Sequence, residues 1–208
     1  MPDMQVGHEH YDFAHYVTPQ RWASYREQVR VTVECRPKTV LYVGAGDNIV
    51  PSVLRALGCE VTCFDYDAGL NVDIVGDVRQ VEALTEGLGF DCIVCCQVLE
   101  HLPFDDFEKT LAALCRLARR RVVISLPYCH KHLGGFSIQL PKLPKLSFDL
   151  FIPVFWRPWK FDGQHYWEIG AKGHALQRID AVVAGIAKVV DQFFVRGYHY
   201  HRFYVLKA

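Results

Sequence analysis

The sequence has no excess of charge of either sign, because its 208 residues include 23 Lys and Arg and 23 Asp and Glu. This balance argues against a surface that attracts nucleic acid or an anionic membrane as a whole, and leaves room only for a local basic patch. No apolar run approaches the length of a membrane span, and residues 1–5 lack the charged start and apolar centre of a signal peptide. These absences predict a cytoplasmic protein.

Cysteine is present, but the pattern of a disulfide framework or a zinc site is not. The chain has eight cysteines, and they fall mainly in apolar segments rather than in polar loops, which favours buried thiols. Cys92 and Cys95 have zinc-ligand spacing, but strand positions alternate between faces and no second pair follows. We therefore predict core cysteines and no metal at this pair. The histidine pairs, His8 with His10 and His199 with His201, are also better explained as surface or core residues.

Half of the residues are apolar and 13% are aromatic, enough for one sizeable core. We predict a single domain over residues 1–208. Thr18 and Pro19 form a helix start, and an N-terminal helix over 18–35 would place Trp22 and Tyr25 on its apolar face.

An apolar strand, 39–43, ends in Gly44-Ala45-Gly46, where glycine lets a ligand approach the backbone. A helix over 49–57 and a second strand follow, and that strand ends at Asp65. A carboxylate at this point of a βαβ unit is placed to accept both hydroxyls of a ribose. The third glycine that suits a pyrophosphate is missing, so a ligand such as S-adenosylmethionine fits better than NAD.

The remaining elements continue the alternation of strand and helix. The run 90–96 is apolar throughout, as a strand buried on both faces requires, and 121–126 predicts the next strand. Basic residues 116 and 119–121 suit the end of the intervening helix. Strands over 189–195 and 202–206 around Gly197 predict a closing hairpin. The pattern indicates an α/β fold with helices on both faces of a mostly parallel sheet.

The stretch from 127 to 163 breaks this pattern. It is rich in proline and aromatic residues, has a basic cast, and predicts an insertion without regular structure. Many exposed aromatic side chains would be costly in a passive loop. We expect a substrate lid, or contact with a membrane surface or a protein through 136–161.

With these motifs in this order, the chain resembles the class I S-adenosylmethionine-dependent methyltransferases over roughly residues 20–208. The resemblance implies a Rossmann-like, doubly wound, seven-stranded sheet of order 3-2-1-4-5-7-6 with strand 7 antiparallel, in three α/β/α layers. It implies methyl transfer from S-adenosylmethionine to a small-molecule or lipid-like acceptor. Leu99-Glu100-His101-Leu102 is its most characteristic piece.

The resemblance also assigns the residues that contact the cofactor. The first motif would hold the methionine and ribose portions, Asp65 the ribose hydroxyls, and Asp77 and Val78 the adenine. The full set is Gly44, Ala45, Gly46, Asp47, Asn48, Asp65, Tyr66, Asp77, Val78, Gln97 and Val98. The family usually has an acidic residue where Tyr42 stands and a glycine where Asn48 stands.

The catalytic candidates are His101, His165 and Glu168. Methyl transfer relies mainly on positioning and desolvation, but a hydroxyl or amine acceptor benefits from a base. Packing or capping remains the simpler explanation of His101, and the cluster around His165 could merely anchor the insertion. Some family members bind a divalent metal with Glu-x-x-Glu-His here. Gln97 removes one carboxylate, so no metal is predicted.

Two alternatives stay open. A catalytically inactive binding or scaffold protein would account for Tyr42 and Asn48. An RNA or protein methyltransferase would predict a broad basic face, and the sequence carries no strong signal for nucleic acid.

Overall fold

The computed structural model describes residues 13–139, 146–154, 156 and 158–208. His8, His10 and part of the predicted insertion lie outside them. The strands are β1 (Thr39–Val43), β2 (Glu60–Asp65), β3 (Ile74–Val75), β4 (Phe90–Cys96), β5 (Ala118–Pro127), β6 (His130–Ile138), β7 (Leu146–Pro153), β8 (Lys188–Val195) and β9 (Tyr198–Lys207). The helices are α1 (Phe13–Tyr16), α2 (Pro19–Val33), α3 (Ile49–Ala56), α4 (Val81–Leu84), α5 (Phe104–Leu117) and α6 (Leu176–Ile186).

Among the described residues, seven strands form one sheet of order β3-β2-β1-β4-β5-β9-β8. The first five run parallel to one another, and β9 runs antiparallel to both β5 and β8. With the β6–β7 hairpin set aside, this is the predicted order 3-2-1-4-5-7-6, and the predicted Rossmann-like sheet is confirmed. The carboxyl ends of β1, β2, β4 and β5 therefore meet at one edge, where this fold places its ligand site.

Each face of the sheet carries its own apolar core. On one face α2 and α3 pack over β1 and β4, with Val31 and Leu54 fully buried. On the other face α5 and α6 cover the sheet, with Leu111 and Ile179 fully buried. Because β4 lies between the two layers, all seven of its residues are buried, as its continuous apolar run predicted.

The structure tests the predictions for the cysteines of β4 and for the arginines at 119–121. Cys92 and Cys95 are buried in opposite cores, which confirms that they are core residues. The arginines 119–121 lie in β5, not at a helix end, because α5 already ends at Leu117. None of the helices among the described residues has the length and apolar character needed to cross a bilayer.

The insertion contains regular structure, so the prediction of an irregular segment was wrong. β6 and β7 pair as an antiparallel hairpin that forms a sheet of its own. Backbone hydrogen bonds between β6 and β7 stabilise this regular structure. The prolines of the segment, which cannot donate such bonds, lie mostly outside the paired strands in sequence. Whether the insertion acts as a lid stays a prediction.

Candidate active site

The turn after β1 leaves its backbone uncovered at the carboxyl edge of the sheet. Gly44 and Gly46 have positive φ angles of 82° and 51°, a conformation that glycine adopts without steric cost. A Cβ atom on Gly44 would also lie 2.4 Å from Cγ2 of Val98. Glycine at this position is therefore required by both the backbone angle and the close approach of the turn after β4.

Asp65, at the end of β2, faces this glycine turn. Its carboxylate accepts a hydrogen bond from the backbone N–H of Asp67 at 3.0 Å, and the backbone N–H groups of Gly46, Ala45 and Tyr66 also favour its charged form. Burial raises the pKa of Asp65, and these backbone N–H groups oppose the rise. The carboxylate is thus fixed beside the backbone that the sequence assigns to the cofactor.

The two departures from the family pattern have local structural reasons. Asn48 has a φ of 59°, a left-handed conformation that asparagine adopts more readily than most residues other than glycine. Its Nδ2 donates to the carbonyl oxygen of Leu70 at 3.1 Å. Tyr42, where an acid is usual, donates its hydroxyl to Oε1 of Gln28 at 2.6 Å. A buried phenol paired with an amide therefore replaces the carboxylate.

A cavity of about 90 Å³ lies between this turn and the N-terminal helices. Six of the residues assigned to the cofactor line it: Gly44, Ala45, Gly46, Asp47, Asp65 and Gln97. Seven others, which the sequence did not single out as ligands, complete the wall: Tyr16, Arg21, Tyr25, Gln28, Tyr42, Cys96 and His201. Pockets that enclose a whole small-molecule ligand usually exceed about 300 Å³, so this cavity suits one end of such a ligand.

Opposite charges face this cavity. Arg21 donates from Nη1 to the Tyr16 hydroxyl at 2.8 Å, and its guanidinium carbon lies 3.8 Å from the centroid of that ring. Asp47 accepts from the Tyr25 hydroxyl at 2.5 Å. A guanidinium and a carboxylate around one small cavity match the carboxylate and ammonium groups of an α-amino acid. The residues present therefore fit the methionine end of S-adenosylmethionine.

Five residues assigned to the cofactor lie outside the cavity wall. Val98 closes the space above Gly44, and Asn48 holds the loop after β2, as described. Tyr66 is 40% exposed and Val78 is buried. Asp77 accepts from Nε and Nη2 of Arg79, and the hydrogen bonds and charge of Arg79 lower its pKa. If Asp77 also accepts from the adenine amine, as the resemblance implies, the adenine amine and Arg79 must both bond to this carboxylate.

The sequence pattern did not predict that α2 lines the cavity, because the buried face of this helix carries polar residues. Trp22, expected in the core, is 49% exposed, whereas Ser24 and Gln28 are buried four residues apart on one helix face. Ser24 Oγ is 2.7 Å from Nδ1 of His201, which lies in β9. Polar residues at helical spacing were the available signal, but only their partners on other elements explain their burial.

The three catalytic candidates lie together beside the cavity. The rings of His101 and His165 are 4.9 Å apart between centroids and nearly perpendicular. His165 Nδ1 is 2.9 Å from Oε1 of Glu168, and the Tyr200 hydroxyl donates to the same oxygen at 2.6 Å. His101 Nδ1 is 3.1 Å from the carbonyl oxygen of Gln164. Both imidazoles are therefore held through Nδ1.

A fully buried aromatic side chain fixes the loop that carries His165 and Glu168. Trp167 has no exposed surface and donates from Nε1 to the carbonyl oxygen of Leu102 at 3.1 Å. Tyr166 donates its backbone N–H to the carbonyl oxygen of Glu100 at 2.9 Å. The loop is thus joined to the turn that follows β4, and that turn begins with the cavity residue Gln97.

Glu100 is a further member of this cluster. It is fully buried, and neither of its carboxylate oxygens has a hydrogen-bond partner among the described residues. Burial raises the pKa of Glu100 to about 8 and lowers that of His101 to about 4. Burial alone would lower the pKa of His165, but Glu168 and Glu100 raise it. Ligand atoms of Glu100, His101 and His165 all lie within 4.8 Å of one another.

Comparison with known proteins agrees with this geometry. Residues 13–172 match the family described as a methyltransferase domain. An alignment 95 positions long, which covers 39% of this chain, is 30% identical to the ubiquinone biosynthesis O-methyltransferase of Azoarcus sp. (strain BH72). That alignment spans only 40% of the length of the relative.

Two solved structures show the same fold at low identity. The N-methyltransferase NodS from Bradyrhizobium japonicum WM9, in complex with S-adenosylhomocysteine, has a TM-score of 0.61 at 12% identity, over 91% of this chain and 88% of its own. The 1,6-didemethyltoxoflavin-N1-methyltransferase of Burkholderia thailandensis also has a TM-score of 0.61, at 16% identity. The match covers 96% of this chain and 84% of that protein.

The family match covers most of the chain, and the sheet order is the one that the resemblance implied. The chain belongs to the methyltransferase domain family, and its resemblance to the class I S-adenosylmethionine-dependent methyltransferases is confirmed.

Proposed function

We propose that this methyltransferase transfers a methyl group to a hydroxyl of a small-molecule or lipid-like acceptor. S-adenosylmethionine is the cofactor of its class and supplies the methyl group as a sulfonium. The observation that carries an acceptor whose proton must be removed is the cluster of His101, His165 and Glu168, which supplies a base, and the choice of a hydroxyl over an amine rests on the relative described below. The cluster lies on two joined loops, one of which also supplies Gln97 to the cofactor cavity.

His165 is the best placed base in this cluster. Its Nδ1–H is held by Glu168, which leaves Nε2 as the atom that accepts a proton from the acceptor hydroxyl. The charge of Glu168 then stabilises the imidazolium that forms, and the Tyr200 hydroxyl keeps the carboxylate in place. His101 stays neutral near pH 7, so it adds no competing charge.

The acceptor class rests on two further observations. The matched stretch of the Azoarcus protein belongs to an enzyme of ubiquinone biosynthesis, whose name specifies O-methylation. Leu133 and Leu150 on the β6–β7 hairpin are more than half exposed, and such apolar surface suits an apolar acceptor better than a highly charged one.

The experiment that tests the proposal measures S-adenosylhomocysteine formed from S-adenosylmethionine with a panel of acceptors. The panel pairs phenols and catechols with amines of matched shape, each with and without an isoprenoid tail. We expect turnover with phenolic hydroxyls, increased by the tail. Turnover with amines alone would contradict the proposal.

A second candidate for the same cluster is a divalent-cation site. Glu100, His101 and His165 supply three ligand atoms, and both histidines hold their Nδ1 against an oxygen, as metal-binding histidines usually do. The prediction of no metal considered only the loss of the carboxylate at Gln97. It could not include His165, which is distant in sequence.

The pH dependence of stability tests the role of Glu100. The folded pKa of about 8 lies above the ordinary 4.5, so the stability that the protonated carboxyl contributes is complete below pH 4.5 and is lost as the pH rises through 8. Over this pH range, we expect the melting temperature of the wild type to fall relative to that of the Glu100→Gln variant, because only the wild type can ionise at this position. Glu100 also raises the pKa of His165, so the difference between the two proteins reports the ionisation of Glu100 together with its effect on His165.

The same melting experiment distinguishes a metal from a base. At pH 8 a bound divalent cation would favour the ionised carboxylate, so Mg²⁺, Mn²⁺ or Zn²⁺ should raise the melting temperature of the wild type and not that of Glu100→Gln. An equal response of both proteins to all three ions would exclude this cluster as their site.

A further inference from the structure

The β6–β7 hairpin presents an apolar face that the described residues do not cover. Alternation along β7 places Leu150 and Ile152 on one face, and Ile138 pairs with position 146 on that same face. These side chains are 65%, 40% and 47% exposed. A two-stranded hairpin is only marginally stable in water on its own, so an apolar face of this kind needs a surface to cover it.

The charge of residues 128–161 indicates what kind of surface covers this apolar face. Residues 128–161 contain one acidic residue, Asp149, and an excess of four positive charges, whereas the whole chain is balanced. The basic residues are Lys131, Lys142, Lys145, Arg157 and Lys160. Of these, 142, 145 and 157 lie outside the described residues. Basic residues beside an apolar face are attracted to anionic lipid head groups, and this attraction is absent at a neutral surface.

Aromatic residues follow the hairpin directly in the chain. Trp156 and Phe161 are each more than half exposed. Tryptophan and other amphipathic rings are enriched at the boundary between water and lipid. An apolar face, a local positive charge and exposed aromatic residues together are typical of a segment that lies on a bilayer without crossing it.

We propose that the β6–β7 hairpin docks on an anionic lipid bilayer through Ile138, Leu150 and Ile152. The hairpin leaves the main sheet just after Pro127, at the carboxyl end of β5, which is the edge that holds the glycine turn. Docking there brings the cofactor cavity close to the bilayer. The proposal deepens the proposed function, because it provides a lipid-like acceptor with a route to the site.

The experiment is flotation of the full chain with vesicles, without cofactor or acceptor. Vesicles of phosphatidylcholine alone are compared with vesicles that also contain phosphatidylglycerol. We expect the wild type to float with the anionic vesicles and to be released by high salt, and the Leu150→Thr/Ile152→Thr variant to bind at least about tenfold more weakly. Threonine retains strand propensity, so the hairpin should persist.

The matched control is Leu57→Thr, which changes a leucine that is 58% exposed at the end of α3. It should float like the wild type. Undiminished binding of the double variant, or no binding of the wild type to either vesicle, would overturn the proposal. So would a wild-type dimer that the double variant converts to a monomer, because the face would then be an interface between copies. The affinity for S-adenosylmethionine should be unchanged in the double variant, because neither residue lines the cofactor cavity, so this test is independent of the methyltransferase proposal.

Discussion

Replacing Asp65 by alanine is expected to weaken the binding of S-adenosylmethionine about a hundredfold or more. Asp65 lies beside the glycine turn and accepts from the backbone N–H of Asp67, and its carboxylate is the group placed to accept both ribose hydroxyls. Hydrogen bonds to charged groups contribute roughly 1.5–3 kcal/mol each, so losing two costs about 3 kcal/mol or more. Calorimetric titration of wild type and variant at one pH and ionic strength measures the difference.

Two further variants separate the ligand contact from the support of the loop. Asp65→Asn keeps the shape and one acceptor for the Asp67 N–H, and should weaken binding less than alanine does. Asp73→Asn changes a nearby carboxylate that accepts from the backbone N–H of Cys63 at 2.7 Å, and should bind as the wild type does. Unchanged affinity in a folded Asp65→Ala variant would remove the ribose assignment.

Replacing His165 by asparagine is expected to lower kcat by about 10² to 10⁴, the usual contribution of a general base, while the affinity for S-adenosylmethionine stays unchanged. The reason is that His165 belongs to the acceptor side and does not line the cofactor cavity. His174→Asn is the control, since His174 packs against Phe104 and Trp167 but lies outside the cluster. A parallel loss in both variants would indicate a packing effect.

The pH profile distinguishes a base from a structural residue. His165 accepts a proton only when neutral, so kcat should rise with pH through its pKa, which Glu168 and Glu100 raise above the ordinary value. The Glu168→Gln variant lacks one of the charges that raise the pKa of His165. Burial, which lowers the pKa of His165, then has more weight. The rising limb should therefore move to lower pH in Glu168→Gln. A limb that does not move would exclude His165 as the titrating base.

The sheet and its glycine turn could be predicted from sequence because their signals are local. The run 39–43, the two glycines and Asp65 fall within one βαβ unit, and their spacing fixes their relation in space. The complete apolar run of β4 likewise predicted a central strand. The strand order itself was implied by the resemblance to the class I methyltransferases, and it agrees with the rule that parallel strands joined by helices admit few arrangements.

The rest depends on contacts that are distant in the chain. Gln28 is buried because it meets Tyr42, and Ser24 because it meets His201. The link between His101 and Gln164 joins residues 63 positions apart. Hydrophobic periodicity does not contain such pairings, so it predicted Trp22 in the core and omitted Arg21 from the site.

The most direct test of the central claim is transfer of a deuterated methyl group from labelled S-adenosylmethionine, followed by mass spectrometry of a phenol that carries an isoprenoid tail. We predict that the label appears on the phenolic oxygen and that S-adenosylhomocysteine forms in equal amount. Tight binding of S-adenosylmethionine with no transfer to any hydroxyl acceptor would contradict the account and favour a binding or scaffold protein.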